Sequence, residues 1–398
     1  MAIYQNGKEV TPKLNGKNLS RVMYNGKKIW PTAISSTNNI IYINQLESDP
    51  TKMISGDVNG DIIQWIRNNS HRVLAKKTGE GAMTYAVLDD NNSTLYNDGT
   101  AADLTGAEGD VFVKLPTFYY AGNDDGTGAS GDNVEITFSK EPFENSIEWD
   151  TNILIGAYEA YYGGDKLQSI SGVESSGNIS QASFKQYARN RGIGYQIVDW
   201  QMHCVLGCLF YAMYGNTDSQ AVCGSGTSSN AKITGQTNNL GMNDTVASVN
   251  SNSQSINFWG LENWWGNKRE FMEGIASTAK DYVETEAPDP SPGRNFYWSY
   301  DPSFGRHFRF GRYLDLVCDT SDDGSSSTYY CDYDYGPYGA SIILERSYHD
   351  SDSNGGVAFA YANLNASYTG PFFGSRLAFR GICTEETDIA AFKALPVL

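Results

Sequence analysis

Cys204 and Cys208 stand four residues apart, a spacing that on a helix places two thiols on one face, where they could ligate a metal or form a redox pair. Trp200, Val205, Leu209 and Ala212 continue the same apolar stripe, so the pair reads as buried thiols packed as small hydrophobes. The late cysteines Cys318, Cys331 and Cys383 have 12 and 51 residues between neighbours. Histidines 71, 203, 307 and 349 are scattered and make no zinc pattern. Asp57-Val58-Asn59-Gly60-Asp61 opens like a calcium loop. Ile62, however, stands where the sharp-turn glycine belongs, and Asn68 where the bidentate Glu belongs, so it reads as a plain turn. Phosphate-loop, dinucleotide and nucleophile-elbow patterns are absent from the sequence. The expectation is a protein with no catalytic residues, no metal and no cofactor: not an enzyme.

The residues that could do chemistry are of another kind. Through Phe359-Ala360-Tyr361-Ala362-Asn363-Leu364-Asn365-Ala366-Ser367, small apolar residues fill every second position. Period two sends the alanines and Leu364 inward and Phe359, Tyr361, Asn363, Asn365 and Ser367 outward. Outward Tyr, Asn and Ser combine rigid amphipathic area with adaptable hydrogen bonding, the chemistry of a paratope. Tyr348, His349, Asp350 and Asp352 before the strand, and Tyr368, Phe372 and Phe373 after it, extend the candidate ligand-binding set. Tyr329, Tyr330, Tyr333 and Tyr335 are expected to pack instead.

Something must hold that strand in place. The 398 residues, 40% of them hydrophobic with 26 tyrosines, have room for two or three folded domains. A net charge of −17 argues against nucleic acid as the main partner, and no apolar run is long enough to span a membrane. The start carries no signal-peptide pattern, and six cysteines in so long a chain make no disulfide framework. Asn6-Gly7-Lys8, Asn15-Gly16-Lys17 and Asn25-Gly26-Lys27 repeat a hairpin signal, so residues 1–31 read as a small β-meander, too short to bury a core. Residues 32–104 read as a linker and a β-rich connecting region. Helices are expected over 182–191 and from an Asp199 cap to about Tyr214.

Gly260-Leu261-Glu262-Asn263-Trp264-Trp265-Gly266-Asn267-Lys268-Arg269-Glu270-Phe271 resembles the signature of the formylglycine-generating-enzyme-like branch of the C-type lectin fold. Asp110–Tyr119, Gly355-Gly356-Val357 and Gly374–Arg380 resemble further segments of that branch, in the expected order. The resemblance implies an α+β domain over 105–384, with two helices packed on short twisted antiparallel strands and a tail at 385–398. Oxygenase members of the branch bind copper through a closely spaced cysteine pair, a pattern these cysteines do not reproduce. The branch also hosts the variable proteins of diversity-generating retroelements, in which adenines of AAC and AAT codons are randomised. Such codons cannot become Met, Trp, Gln, Lys or Glu. Those five types make 61 of 398 residues, yet only Glu345 belongs to them among the 86 residues from Ser299 to Thr384. The variable-like segment is placed at about 346–373.

The implied function is host recognition by a phage tail fibre or tail tip, through a diversified ligand-binding surface. The expected partners are a host cell-surface receptor, glycan or protein, and a tail or fibre protein bound through the N-terminus. The chain is expected to be a homo-oligomer, most naturally a trimer, in a virion assembled in the host cytoplasm. A bacterial surface adhesin and a copper-dependent formylglycine-generating oxidase are the alternatives.

Overall fold

The computed structural model describes residues 38–123, 132–228, 232–248, 254–278, 281–284, 295–297, 303–320, 323–336, 342–348 and 353–397, with short strand segments between Tyr4 and Trp30. Those segments form three two-stranded ladders. Gln5 pairs with Lys8, Leu14 with Lys17 and Tyr24 with Lys27, which leaves one Asn-Gly pair between the strands each time.

The central sheet is eight-stranded. It runs Asn92–Tyr96, Ala82–Asp89, His71–Gly79, Asp110–Lys114, Ile153–Gly156, Leu377–Arg380, Tyr195–Ile197, and Ile382–Glu385 adds to Ala82–Asp89 in parallel. Alternate residues feed two different cores. Leu74, Val111, Val113 and Ile155 belong to one, and Val73, Phe112, Leu154 and Phe379 to the other. Burial on both faces explains the unbroken apolar run Val111-Phe112-Val113. Strand pairing therefore crosses residue 104, and residues 71–96 share one sheet with residues 377–380.

A five-stranded sheet is ordered Ile147–Trp149, Phe118–Gly122, Asn133–Ser139, Asn38–Asn44, Ile54–Gly56. A six-stranded sheet is ordered Ser303–Phe304, Tyr333–Tyr335, Ala360–Asn365, Ile342–Arg346, Arg269–Phe271, Phe373–Gly374.

Helix α1 spans Asp61–Asn68 and buries Ile62, Ile63 and Ile66. Helix α2 spans Gln181–Arg189, where the Ser180 hydroxyl accepts the Ser183 N–H as its cap. Helix α3 spans Trp200–Tyr214, capped by Asp199 and ended by Gly215 at φ 61°, a left-handed turn that favours glycine. Helix α4 (Ser219–Cys223) is short, and α5 (Ile389–Ala394) sets Phe392 edge-on to Tyr96 at 6.1 Å.

The fold class departs from the expectation. The chain is mostly β, built on several antiparallel sheets with five α-helices among the described residues, and it does not fit the pattern of two helices laid on short strands. The physical reason shows in α3, where every residue from Trp200 to Ala212 is buried. The helix carries no solvent-facing stripe, because sheets and loops enclose it. Residues 38–96, expected to be a linker and connecting region, supply strands to two of the sheets and add residues such as Ile41, Ile43 and Leu74 to the core that holds α3. Cys204 and Cys208 lie in this core as thiols, and Cys204 Sγ donates to the Asp315 carbonyl at 3.1 Å.

Candidate functional site

The six-stranded sheet carries the paratope-like strand in its interior. Tyr361 pairs with Tyr335 on one side and with Glu345 on the other. From Ala360 to Asn365 the alternation runs as the sequence predicts, with Ala360 and Ala362 buried, Tyr361 half-buried, and Asn363 and Asn365 exposed. Ser367 is exposed and donates to Asn365 Oδ1 at 2.6 Å, and Tyr368 and Phe372 are 39% and 41% exposed. Tyr348 is half-buried at the edge of the same surface.

Phe359 and Phe373 fall on the other side of the expectation, since both are buried. Phe373 stacks on Phe271 at 5.6 Å within the second core. Both phenylalanines also lie by Arg269, whose guanidinium carbon sits 4.6 Å from the Tyr361 ring centroid, 5.0 Å from Tyr348, 5.6 Å from Phe373 and 5.8 Å from Phe359, four rings around one cation. His349, Asp350 and Asp352 lie outside the described residues.

Beneath the rings is Glu345, fully buried, with Oε2 3.5 Å from Arg269 Nη1. Burial pushes its carboxyl up to about 8, and Arg269 only partly opposes that. The lone member of the under-represented residue set in this region is thus a frame residue and does not belong to the exposed face.

Buried polar groups fix the strand's approach. Arg346 donates to the Ala358 and Phe359 carbonyls at 3.1 and 3.2 Å and to Leu316 O at 3.1 Å. Asp332 accepts the Ala358 N–H at 2.7 Å, and the Ser219 hydroxyl accepts that of Val357 at 3.1 Å. These buried groups hold the backbone that enters the strand from inside, while of the exposed side chains Asn365 accepts the Ser367 N–H at 3.1 Å.

Sequence reasoning missed Arg269 and Glu345. Tyr333 and Tyr335 are half-buried, the packing expected of them, and Tyr335 meets Tyr361 at 5.2 Å. Their strand reads Asp332-Tyr333-Asp334-Tyr335, and the structure buries the aspartates instead of the rings. Tyr330 does pack as expected, with its hydroxyl donating to Gln45 Oε1 at 2.8 Å. Arg269 stood inside the most distinctive phrase of the sequence, so its presence was legible while its ring partners were not.

Cys318 and Cys331 are both buried, and burial pushes the Cys331 thiol up.

No protein-family model matches this sequence, and no curated protein matches it. Among solved structures, PvdO from Pseudomonas aeruginosa is similar at a TM-score of 0.29 and 10% identity, over 69% of this chain and 95% of that one. The Major Tropism Determinant U1 variant is similar at a TM-score of 0.30 and 9% identity, over 79% of this chain and 72% of the other.

Proposed function

We propose that this chain is a receptor-binding protein of a phage tail, and that the face around Tyr361 recognises a molecule on the host cell surface. One observation carries the reading. Half-buried Tyr361 and exposed Asn363 and Asn365 are mounted on an interior strand whose entry is held by buried groups, with exposed Ser367 and Tyr368 just beyond its end. Such a face can change its side chains without disturbing the fold, and that is what a diversified recognition surface requires. The near-absence of Met, Trp, Gln, Lys and Glu from residues 299–384 fits adenine-directed diversification of the same region.

In this reading the hairpins of the first thirty residues seat the chain on the tail or a fibre partner. Several copies, most naturally three, then raise avidity for a receptor that each site holds weakly, by roughly 10²–10⁴. A bacterial adhesin of the same design is the second reading; it shares the binding face and differs in where the chain is displayed.

Purified full-length protein, added in excess to susceptible bacteria, should adsorb to them and protect them from infection by the phage that carries it. Failure to adsorb to cells that the phage infects would overturn the proposal. Adsorption with no protection would favour the adhesin.

A further inference from the structure

The central sheet bears a second concave site, a cleft of about 440 Å³ that shares no residue with the Tyr361 face. Its floor is Val73 and Val87, and α1 raises Trp65 as a wall. Lys114 and His71 are cross-strand partners and emerge side by side. The Lys114 ammonium lies 5.2 Å from the centroid of the Tyr85 ring and donates to the Thr151 hydroxyl.

The charges around the cleft are unequally committed. His71 Nδ1 is 2.9 Å from Asp90 Oδ1, and the Tyr85 hydroxyl donates to Glu385 at 3.4 Å on the exposed rim. Lys114 forms no ion pair with any described carboxylate. In a chain of net charge −17, an ammonium that lines a cleft without an ion pair to any described carboxylate is a local exception to the field of the whole protein.

We propose that this cleft binds a pyranose carrying a carboxylate, with Lys114 on the carboxylate and the half-buried Trp65 ring against the sugar's apolar face. An aromatic wall, an apolar floor and a few convergent polar groups are what a small ring with a polar rim needs, and the volume suits one such unit. A bare anion leaves the Trp65 ring unused, and a neutral sugar leaves the ammonium unmatched. Burial is the largest influence on Lys114 and lowers its pKa; a ligand carboxylate supplies the close negative partner that burial otherwise leaves distant. The inference stands apart from the receptor-binding face and does not depend on it.

Titration of the full-length protein by NMR, with methyl glucuronide, methyl glucoside and inorganic phosphate as separate probes, tests it. The glucuronide should bind with a Kd on the order of 1 mM, and the other two at least about tenfold more weakly. Lys114→Gln should weaken the glucuronide about tenfold or more. Glu385→Gln, on the exposed rim where folding is not at stake, should strengthen it severalfold by removing a repelling carboxylate. Tyr361→Ala should leave it unchanged. Equal binding of glucoside or phosphate, no binding of glucuronide, or indifference to both cleft variants would overturn the proposal.

Discussion

Arg376→Ala should destabilise the protein by about 3–5 kcal/mol, the loss expected when one partner of a buried ion pair is removed. The side chain is fully buried, with Nη2 2.8 Å from Glu270 Oε1. Nη1 donates to the Gly156 and Ala157 carbonyls at 3.0 Å each, and Nη2 to Glu262 O at 2.8 Å and Asn263 O at 3.2 Å. One guanidinium thereby ties the strand Leu377–Arg380 and the strand Ile153–Gly156 to the loop before Trp264. Removing it leaves the buried Glu270 carboxylate without its counter-charge and takes a donor from four carbonyl groups, of which Ala157 O keeps the Glu262 N–H. Arg376→Lys should recover only part of the loss, because an ammonium cannot reproduce the planar fork. Urea denaturation of the three proteins measures this. A loss below about 1 kcal/mol for the alanine variant would show that the site relaxes and that the frame does not depend on it.

The second large effect is a fall in stability as pH rises. Burial holds the Glu345 carboxyl at about 8 in the folded chain, against an ordinary 4.5, and holds Glu159 at about 7. Between those limits the folded state keeps protons that the unfolded state has released. Stability is then greatest below about pH 4.5 for these two groups and declines as pH climbs through 7 and 8. Each unit of difference corresponds to roughly 1.4 kcal/mol, so the combined effect is on the order of several kcal/mol. Glu345→Gln keeps the shape and removes the titration. The wild type should melt at a clearly lower temperature at about pH 9 than at about pH 5, and the variant should show a smaller fall. Identical pH dependence in the two proteins would mean that Glu345 ionises freely, with Arg269 fully compensating its burial.

Local features were the legible ones. Asn-Gly pairs fall between paired strands, Asp199 caps α3, and the alternation through Ala360–Asn365 sorts side chains as the sequence predicts. These depend on contacts between near neighbours. The fold class did not follow, because it depends on how distant strands pair. Nothing local says that Tyr85 lies beside Glu385, or that Ile155 lies beside Ala378. Helix α1 escaped for a different reason: it has only eight residues and starts at Gly60 with no side-chain cap, so neither a long period nor a start signal announced it. The alternation places Phe359 outward and the flanking loop carries Phe373, but both are buried, beside Arg269 and, for Phe373, on Phe271, about ninety or more positions earlier in the chain. In Asp332-Tyr333-Asp334-Tyr335 the aspartates are buried and the tyrosines half-buried, and Asp332 accepts the Ala358 N–H from inside.

The central claim is that the Tyr361 face binds while the buried frame carries the stability, and the double substitution Tyr361→Ala/Asn363→Ala separates the two. Adsorption of labelled full-length protein to susceptible cells should be measured beside the free energy of unfolding. Asn363 is exposed and Tyr361 half-buried, so the unfolding free energy should shift by no more than about 1 kcal/mol while adsorption falls about tenfold or more. Undiminished adsorption by a folded double variant would contradict the account.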